Sequence, residues 1–237
     1  MEVFESLCID LIEEVSTTNN EDDFVILLRR RIKSWQKLFL SSNDGLLPLS
    51  QIIGLIGELI ILFDFIQSTT LSPSSAISAW QGPFGADQDF ITNEWAAEVK
   101  TIRSDIKEVS IASLDQLNNA QHANLSLIVL YYLKASSDDA GSVTLNSIVT
   151  ELEYFFENNL LLLREFKASL LEAGYVFHEQ YGQIYIKVVN KESYEITENF
   201  PKLLRSNVAS GISSAQYRVS LDSIAHFKEA SYPYAKP

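Results

Sequence analysis

The stretch Asp89-Phe90-Ile91-Thr92-Asn93-Glu94-Trp95-Ala96-Ala97-Glu98-Val99-Lys100 decides the fold. Two runs of strand formers, Gln88–Ile91 and Trp95–Thr101, flank the polar triplet Thr92–Glu94, which is the pattern of a tight β-hairpin. A turn centred between Asn93 and Glu94 sets Asp89 opposite Glu98. Directly opposed side chains have Cβ atoms roughly 5 Å apart, and like charges there repel. A divalent cation between them turns that repulsion into binding, because Mg²⁺ is commonly held by one or two carboxylates plus a substrate phosphate. Glu98 and Lys100 are two residues apart and share a strand face, while Val99 faces the other side with Ala97. Beside a metal and a scissile phosphate, a lysine can orient the attacking water, stabilise charge on phosphoryl oxygens, or act as a base if its pKa falls. Taken alone, two carboxylates and a lysine also describe a solvated strand face. The apolar neighbours Phe90, Ile91, Ala96, Ala97 and Val99 favour an internal hairpin.

Glu58 is the fourth candidate. Ile56, Leu59, Ile60, Ile61 and Leu62 surround it, so its helical turn belongs in the core. An unpaired carboxylate there is costly or shifts toward its protonated form. A metal, its water shell or Lys100 would satisfy it. Gly54 and Gly57 weaken the helix and need a reason, which close approach to the strands supplies.

Bulk properties set the frame. A chain of 237 residues has room for one good-sized domain or two small ones and needs no disulfide staple. The single Cys8 excludes an internal disulfide framework and any clustered-cysteine metal site. A reducing cytoplasm fits it, and no secretory signal is read at the N-terminus. Leu59–Phe65 is very apolar, but Glu58 and Asp64 interrupt the run short of a membrane span. A formal charge of −13 argues against coating nucleic acid through a basic surface. Local basic patches remain: Arg29–Arg31 with Lys33 and Lys37, or Lys100 with Arg103 and Lys107, or Lys202 with Arg205.

Periodicity predicts helices over residues 1–40, broken around Ser16–Asp23, with Phe4, Leu7 and Leu11 in one stripe. A cleaner stripe runs Phe24, Leu27, Leu28, Ile32, Trp35, Leu38 and Phe39. A turn at Ser41–Gly45 precedes a helix from Ser50 to Gln67, which Ser72-Pro73-Ser74-Ser75 closes. Short strands follow at Ala76–Trp80, Gln88–Ile91 and Trp95–Thr101, the last continuing toward Ile111. Ser113 caps a short helix through Leu117 to Ala120, and Gln116, one turn later, would point into the cleft. Leu125–Tyr132 reads as a central strand. A long helix spans Leu145 to Leu170 and stops at Gly174. Tyr175–Glu179, Gly182–Val188 and Tyr194–Thr197 read as short antiparallel strands, and Arg218–Leu221 as the last one. The order implies an N-terminal helical segment (1–48), a core (49–135), and a long helix with a β-rich segment packed on it (136–237). His122, His178 and His226 show no ligand spacing. Trp35, Trp80 and Trp95 read as core rings.

The ordered set Gly54-Leu-Ile-Gly-Glu58-Leu, Trp80-x-Gly82-Pro83, Asp89-Phe90, Glu98-Val-Lys100-Thr101 and Ile111-x-Ser113-Leu-x-Gln116-Leu117 resembles the PD-(D/E)XK nuclease superfamily. More narrowly, it resembles the PD-(D/E)XK motif proteins encoded near prokaryotic restriction or defence genes. The likeness runs from about Trp35 to Ser223. Pro83 departs from the pattern by not directly preceding Asp89, and relatives usually carry more chain before the first helix, which implies either a short form or a front that is a separate element. The resemblance implies an α/β, restriction-endonuclease-like core: a mixed central sheet flanked by helices, with a C-terminal set of short antiparallel strands. It implies DNA cleavage with Mg²⁺, for which Mn²⁺ can substitute. Asp89 and Glu98 would be metal ligands, Glu58 a further catalytic and metal residue, and Lys100 the catalytic lysine. Gln116, Ser113 and Arg103 are candidates for DNA contact or support of the site. The expected partners are DNA, a second copy of the chain and defence-system proteins, with no membrane. The rival expectation is a non-catalytic DNA-binding or scaffold subunit retaining a nuclease-like fold.

Overall fold

The computed structural model describes residues 7–9, 11–12, 21–41, 46–68, 70–120, 122 and 124–230. Phe4 lies outside the described residues, as do 16–20 of the break expected around Ser16–Asp23 and 42–45 of the turn expected at Ser41–Gly45. The described remainder of both, 21–23 and Ser41, is helical. The side chains of Leu27, Arg30, Lys37, Leu38 and Phe39 also lie outside the description. The described strands are β1 (Phe90–Ile91), β2 (Trp95–Arg103), β3 (Glu108–Ile111), β4 (Asn124–Lys134), β5 (Ile186–Glu195) and β6 (Tyr217–Ser220). The helices are α1 (Glu21–Ser41), α2 (Leu49–Gln67), α3 (Pro73–Ala79), α4 (Leu145–Phe156) and α5 (Leu160–Glu172).

A four-stranded sheet in the order β1-β2-β4-β5 forms the centre. It is mixed: β1 is antiparallel to β2, β2 parallel to β4, and β4 antiparallel to β5. β3 and β6 make a separate antiparallel pair. Strand alternation sorts the apolar side chains onto the sheet's two faces. Ala97, Val99, Ile128 and Leu130 join α2, α3, α4 and α5 in one core, while Ala96, Leu125, Leu127 and Val129 join β3 and β6 in another. Helices on one face, the central sheet, and a small sheet on the other face make the α/β, restriction-endonuclease-like arrangement that the motifs implied.

α2 is long and apolar enough to cross a membrane by composition alone. In this fold Ile56, Leu59, Ile61, Leu62 and Phe65 are fully buried against the sheet and its neighbouring helices. Gly57 is where helix and sheet meet most closely. A Cβ there would stand 1.8 Å from Thr101 Oγ1, whereas one on Gly54 would meet nothing within 4 Å. Close approach therefore explains Gly57 and not Gly54, which lines a cavity instead.

Several elements differ from the sequence expectation. Ala76–Trp80 is not a strand: Ser72 accepts the Ser75 N–H at 3.1 Å and Pro73 opens α3, so Ser-Pro-Ser-Ser starts a helix as well as ending one. The long helix is two, because Asn159 caps α5 three residues after α4 ends. Ser113 accepts the N–H groups of Asp115 and Gln116, each at 3.2 Å, yet the segment is a turn and no helix follows. The strands expected at Tyr175–Glu179 and Gly182–Val188 give way to a 3-10 turn at Glu179–Gln183 and the single strand β5. The polar middle of β5 is legible only in place, where Lys191 pairs with Asp64 at 2.5 Å and Glu192 with Lys228 at 2.7 Å. Gly174 does end α5, with φ +84°.

Candidate active site

Phe90 pairs with Ala97 and Ile91 with Ala96, so one more antiparallel step sets Asp89 against Glu98. The hairpin thus has the register that the Asn93–Glu94 turn centre implied. Asp89 is held from two sides. Its carbonyl accepts the Gln81 and Gly82 N–H groups at 2.8 and 3.0 Å, and its Oδ2 accepts the Val99 N–H at 2.7 Å. Glu98 is fully buried at 1% exposure, and its Oε1 accepts from Lys100 Nζ at 2.6 Å. Gln116 Oε1 lies 3.4 Å from the same ammonium and accepts the Ala112 N–H at 2.7 Å.

Glu58 reaches these groups from α2, where its Oε2 accepts the Trp80 Nε1–H at 2.8 Å. A Cβ on Gly82 would stand 2.9 Å from Asp89 Oδ1 and 3.1 Å from Glu58 Oε2. The missing side chain at Gly82 therefore leaves the space that both carboxylates flank. Glu58, Gly82, Asp89, Glu98, Lys100 and Gln116 all line one cavity of about 660 Å³, which extends past Ser50 and Gly54 to Gly174.

Packing these acids together shifts them. Loss of hydration, then the charge of Asp89, pushes the Glu58 carboxyl up to about 8, against the indole hydrogen bond and Lys100. Burial likewise raises Asp89, opposed by the Val99 N–H and Lys100. Burial, then Asp89, holds Glu98 well above the ordinary range despite Lys100. Each carboxylate spends one oxygen on a protein donor. Glu98 Oε2 is buried with no hydrogen-bond partner. Glu58 Oε1 and Asp89 Oδ1 receive no hydrogen bond from a described residue. Even so, no group of three or more His, Cys, Asp or Glu side chains among the described residues stands ready to enclose a metal ion by itself.

The fold brings Glu58, Asp89, Glu98, Lys100 and Gln116 together. It leaves Arg103 at the exposed end of β2, where it pairs with Asp105 through Nε at 2.9 Å, and Ser113 in its turn. Two contributors escape a reading by residue type. Trp80 is fully buried and reads as core, but a buried indole also needs an acceptor. Gln88, 5% exposed, donates to the carbonyls of Asp115 and Gln116 at 2.9 and 3.2 Å and ties the Gln116 turn to the segment that carries Asp89 into β1. Nothing in the sequence near Gln88 marks that role.

A family model described as "Putative PD-(D/E)XK family member, (DUF4420)" matches residues 1–222. The chain belongs to this family. Comparisons with curated proteins and with solved structures found no match. Within this PD-(D/E)XK family member, the carboxylate pair, the lysine two residues on and the helix glutamate share one cavity.

Proposed function

We propose that the protein is a Mg²⁺-dependent endonuclease that hydrolyses DNA phosphodiester bonds, of restriction or defence type. The observation that supports this reading is the convergence of Glu58, Asp89, Glu98 and Lys100 on one cavity. Three features fit a hard divalent cation. The available donors are all oxygens, Glu98 Oε2 is buried without a partner, and Gly82 leaves the space a Cβ would fill. Two carboxylates suffice when water and substrate phosphate complete the shell. When bound, such an ion supplies positive charge to phosphoryl oxygens and acidifies a coordinated water.

The chain's own residues do the rest. Asp89 and Glu98 would hold the ion, and Glu58 would support a second ion or a coordinated water. Lys100, anchored by Glu98 and Gln116, would orient the attacking water or stabilise charge on the phosphoryl oxygens. Hydrolysis joins the water oxygen to phosphorus, breaks one P–O ester bond and releases a proton. Double-strand cleavage needs two such sites or two events, which a homodimer or a defence-system partner in the cytoplasm would provide.

A second reading is a non-catalytic DNA-binding or scaffold subunit. Its scaffold form is favoured by the pairing of Arg103 with Asp105, Arg205 with Asp115 and Arg218 with Glu108 in a chain of net charge −13, which leaves these arginines less to offer a phosphate backbone. The deciding experiment follows cleavage of varied plasmid and linear DNA, modified and unmodified, by wild type and Lys100→Ala with Mg²⁺ or Mn²⁺. We expect cleavage by the wild type and at least a 100-fold loss in the variant. Inactivity of both across all substrates, with the wild type folded and binding metal, would favour the scaffold.

A further inference from the structure

We infer that Trp80 is a positioning residue for Glu58, orienting its carboxylate toward a divalent cation through the indole N–H. This rests on the metal-dependent reading above. The short segment 80–82 contacts both acidic residues, Glu58 through its carboxylate and Asp89 through its backbone carbonyl. Trp80 follows α3 in an extended conformation and donates its Nε1–H to Glu58 Oε2 at 2.8 Å. The next two N–H groups, of Gln81 and Gly82, go to the carbonyl of Asp89. Three consecutive residues thus hold the Glu58 carboxylate and the backbone of Asp89.

The indole is well placed to hold a direction. Its ring is fully buried, packs in the helix-side core with Phe166 at a centroid distance of 6.3 Å, and has no freedom to follow a wandering carboxylate. Glu58 has three side-chain torsions and faces a cavity, so without a fixed donor its head group would sample several rotamers. The indole engages Oε2 alone and leaves Oε1 for another ligand. Partners of this kind, one bond removed from the ion, typically contribute 10–100-fold to metal affinity. A ring that served packing alone would need an acceptor but not this one; backbone carbonyls are the commoner answer for a buried donor.

The test measures Mn²⁺ affinity by calorimetry for wild type, Trp80→Phe, Glu58→Gln and the double variant, each checked for folding by circular dichroism. Phenylalanine keeps most of the ring and removes the donor. We expect Trp80→Phe to lose roughly 10-fold or more in affinity, and the double variant to be no weaker than Glu58→Gln. Wild-type affinity in Trp80→Phe, or an equal loss in both backgrounds, would overturn the inference and leave the metal site standing. A folded wild type that binds no Mn²⁺ at millimolar concentration would overturn the functional reading itself, and the inference with it. Should Trp80→Phe fail to fold, the indole ¹⁵N–H resonances of the intact protein give the answer. Titration with Mg²⁺ should move the Trp80 signal in wild type and not in Glu58→Gln. A Trp80 signal that stays still while Mg²⁺ binds would sink the proposal.

Discussion

Glu58, Asp89 and Glu98 place three carboxyl groups around one cavity, with the Lys100 ammonium paired to the most buried of them. The arrangement has a cost that pH reveals. The Glu58 carboxyl rises from its ordinary 4.5 to about 8, and Asp89 and Glu98 are raised as well. A carboxyl that binds its proton more tightly in the folded state contributes stability in full below its unfolded value. That contribution is lost as pH climbs through the folded value. In the metal-free protein the Glu58 contribution should therefore be lost as pH rises from about 4.5 to about 8, with Asp89 and Glu98 adding to the decline in the same direction. Urea unfolding across that range would show it, and Glu58→Gln should flatten the decline. Stability that instead rises through this window would mean the three acids are ionised and well compensated at neutral pH. At this scale the hairpin was legible, because Asn93–Glu94 sets a period-two register and Asp89 and Glu98 follow from counting. Gln88 and the Trp80 donor were not, since their partners lie more than twenty residues away.

The two glycines of α2 separate propensity from packing. Both weaken the helix by roughly 0.5–1 kcal/mol relative to alanine, but only Gly57 has a neighbour in the way, Thr101 Oγ1 at 1.8 Å from its notional Cβ. Gly54→Ala should raise the stability of the protein by up to about 1 kcal/mol, seen as a higher urea midpoint. Gly57→Ala should lower it by about 1–3 kcal/mol, as overpacking pushes α2 off β2. Equal effects at the two positions would contradict this geometry. The sequence marks both glycines as unusual and cannot rank them, because the ranking depends on which side of α2 meets β2. The split between α4 and α5 shows the same limit. The apolar period runs on through Phe155, Phe156 and Leu160, while Asn159 interrupts the backbone by capping the next helix.

Across the whole molecule, charge is the feature that bears most on substrate. Arg103, Arg205, Arg218 and Lys228 each pair with an acid of this chain, so the arginines of the two expected patches, Arg103 and Arg205, are locally neutralised, while Lys202 is held by Asn119 and the Thr197 carbonyl. The isolated protein should bind a short duplex weakly in Ca²⁺. The slope of log affinity against log salt should be shallower than the value of about −5 expected for six phosphate contacts. Fluorescence anisotropy between 50 and 200 mM salt, conditions over which such contacts weaken binding by orders of magnitude, would measure it. A steep slope would point to a basic track beyond these pairs. The sequence by itself determined the α/β class, the central strand and the hairpin register that sets Asp89 beside Glu98 and Lys100. Those follow from local periodicity, turn chemistry and ordered motifs, which are properties of neighbouring residues. Only the tertiary structure decided that Glu58 on α2 reaches Asp89 through the gap at Gly82, that Trp80 fixes one of its oxygens, and that β5 is a single strand. These depend on packing between segments distant in the chain, where burial and hydrogen bonding override local preference.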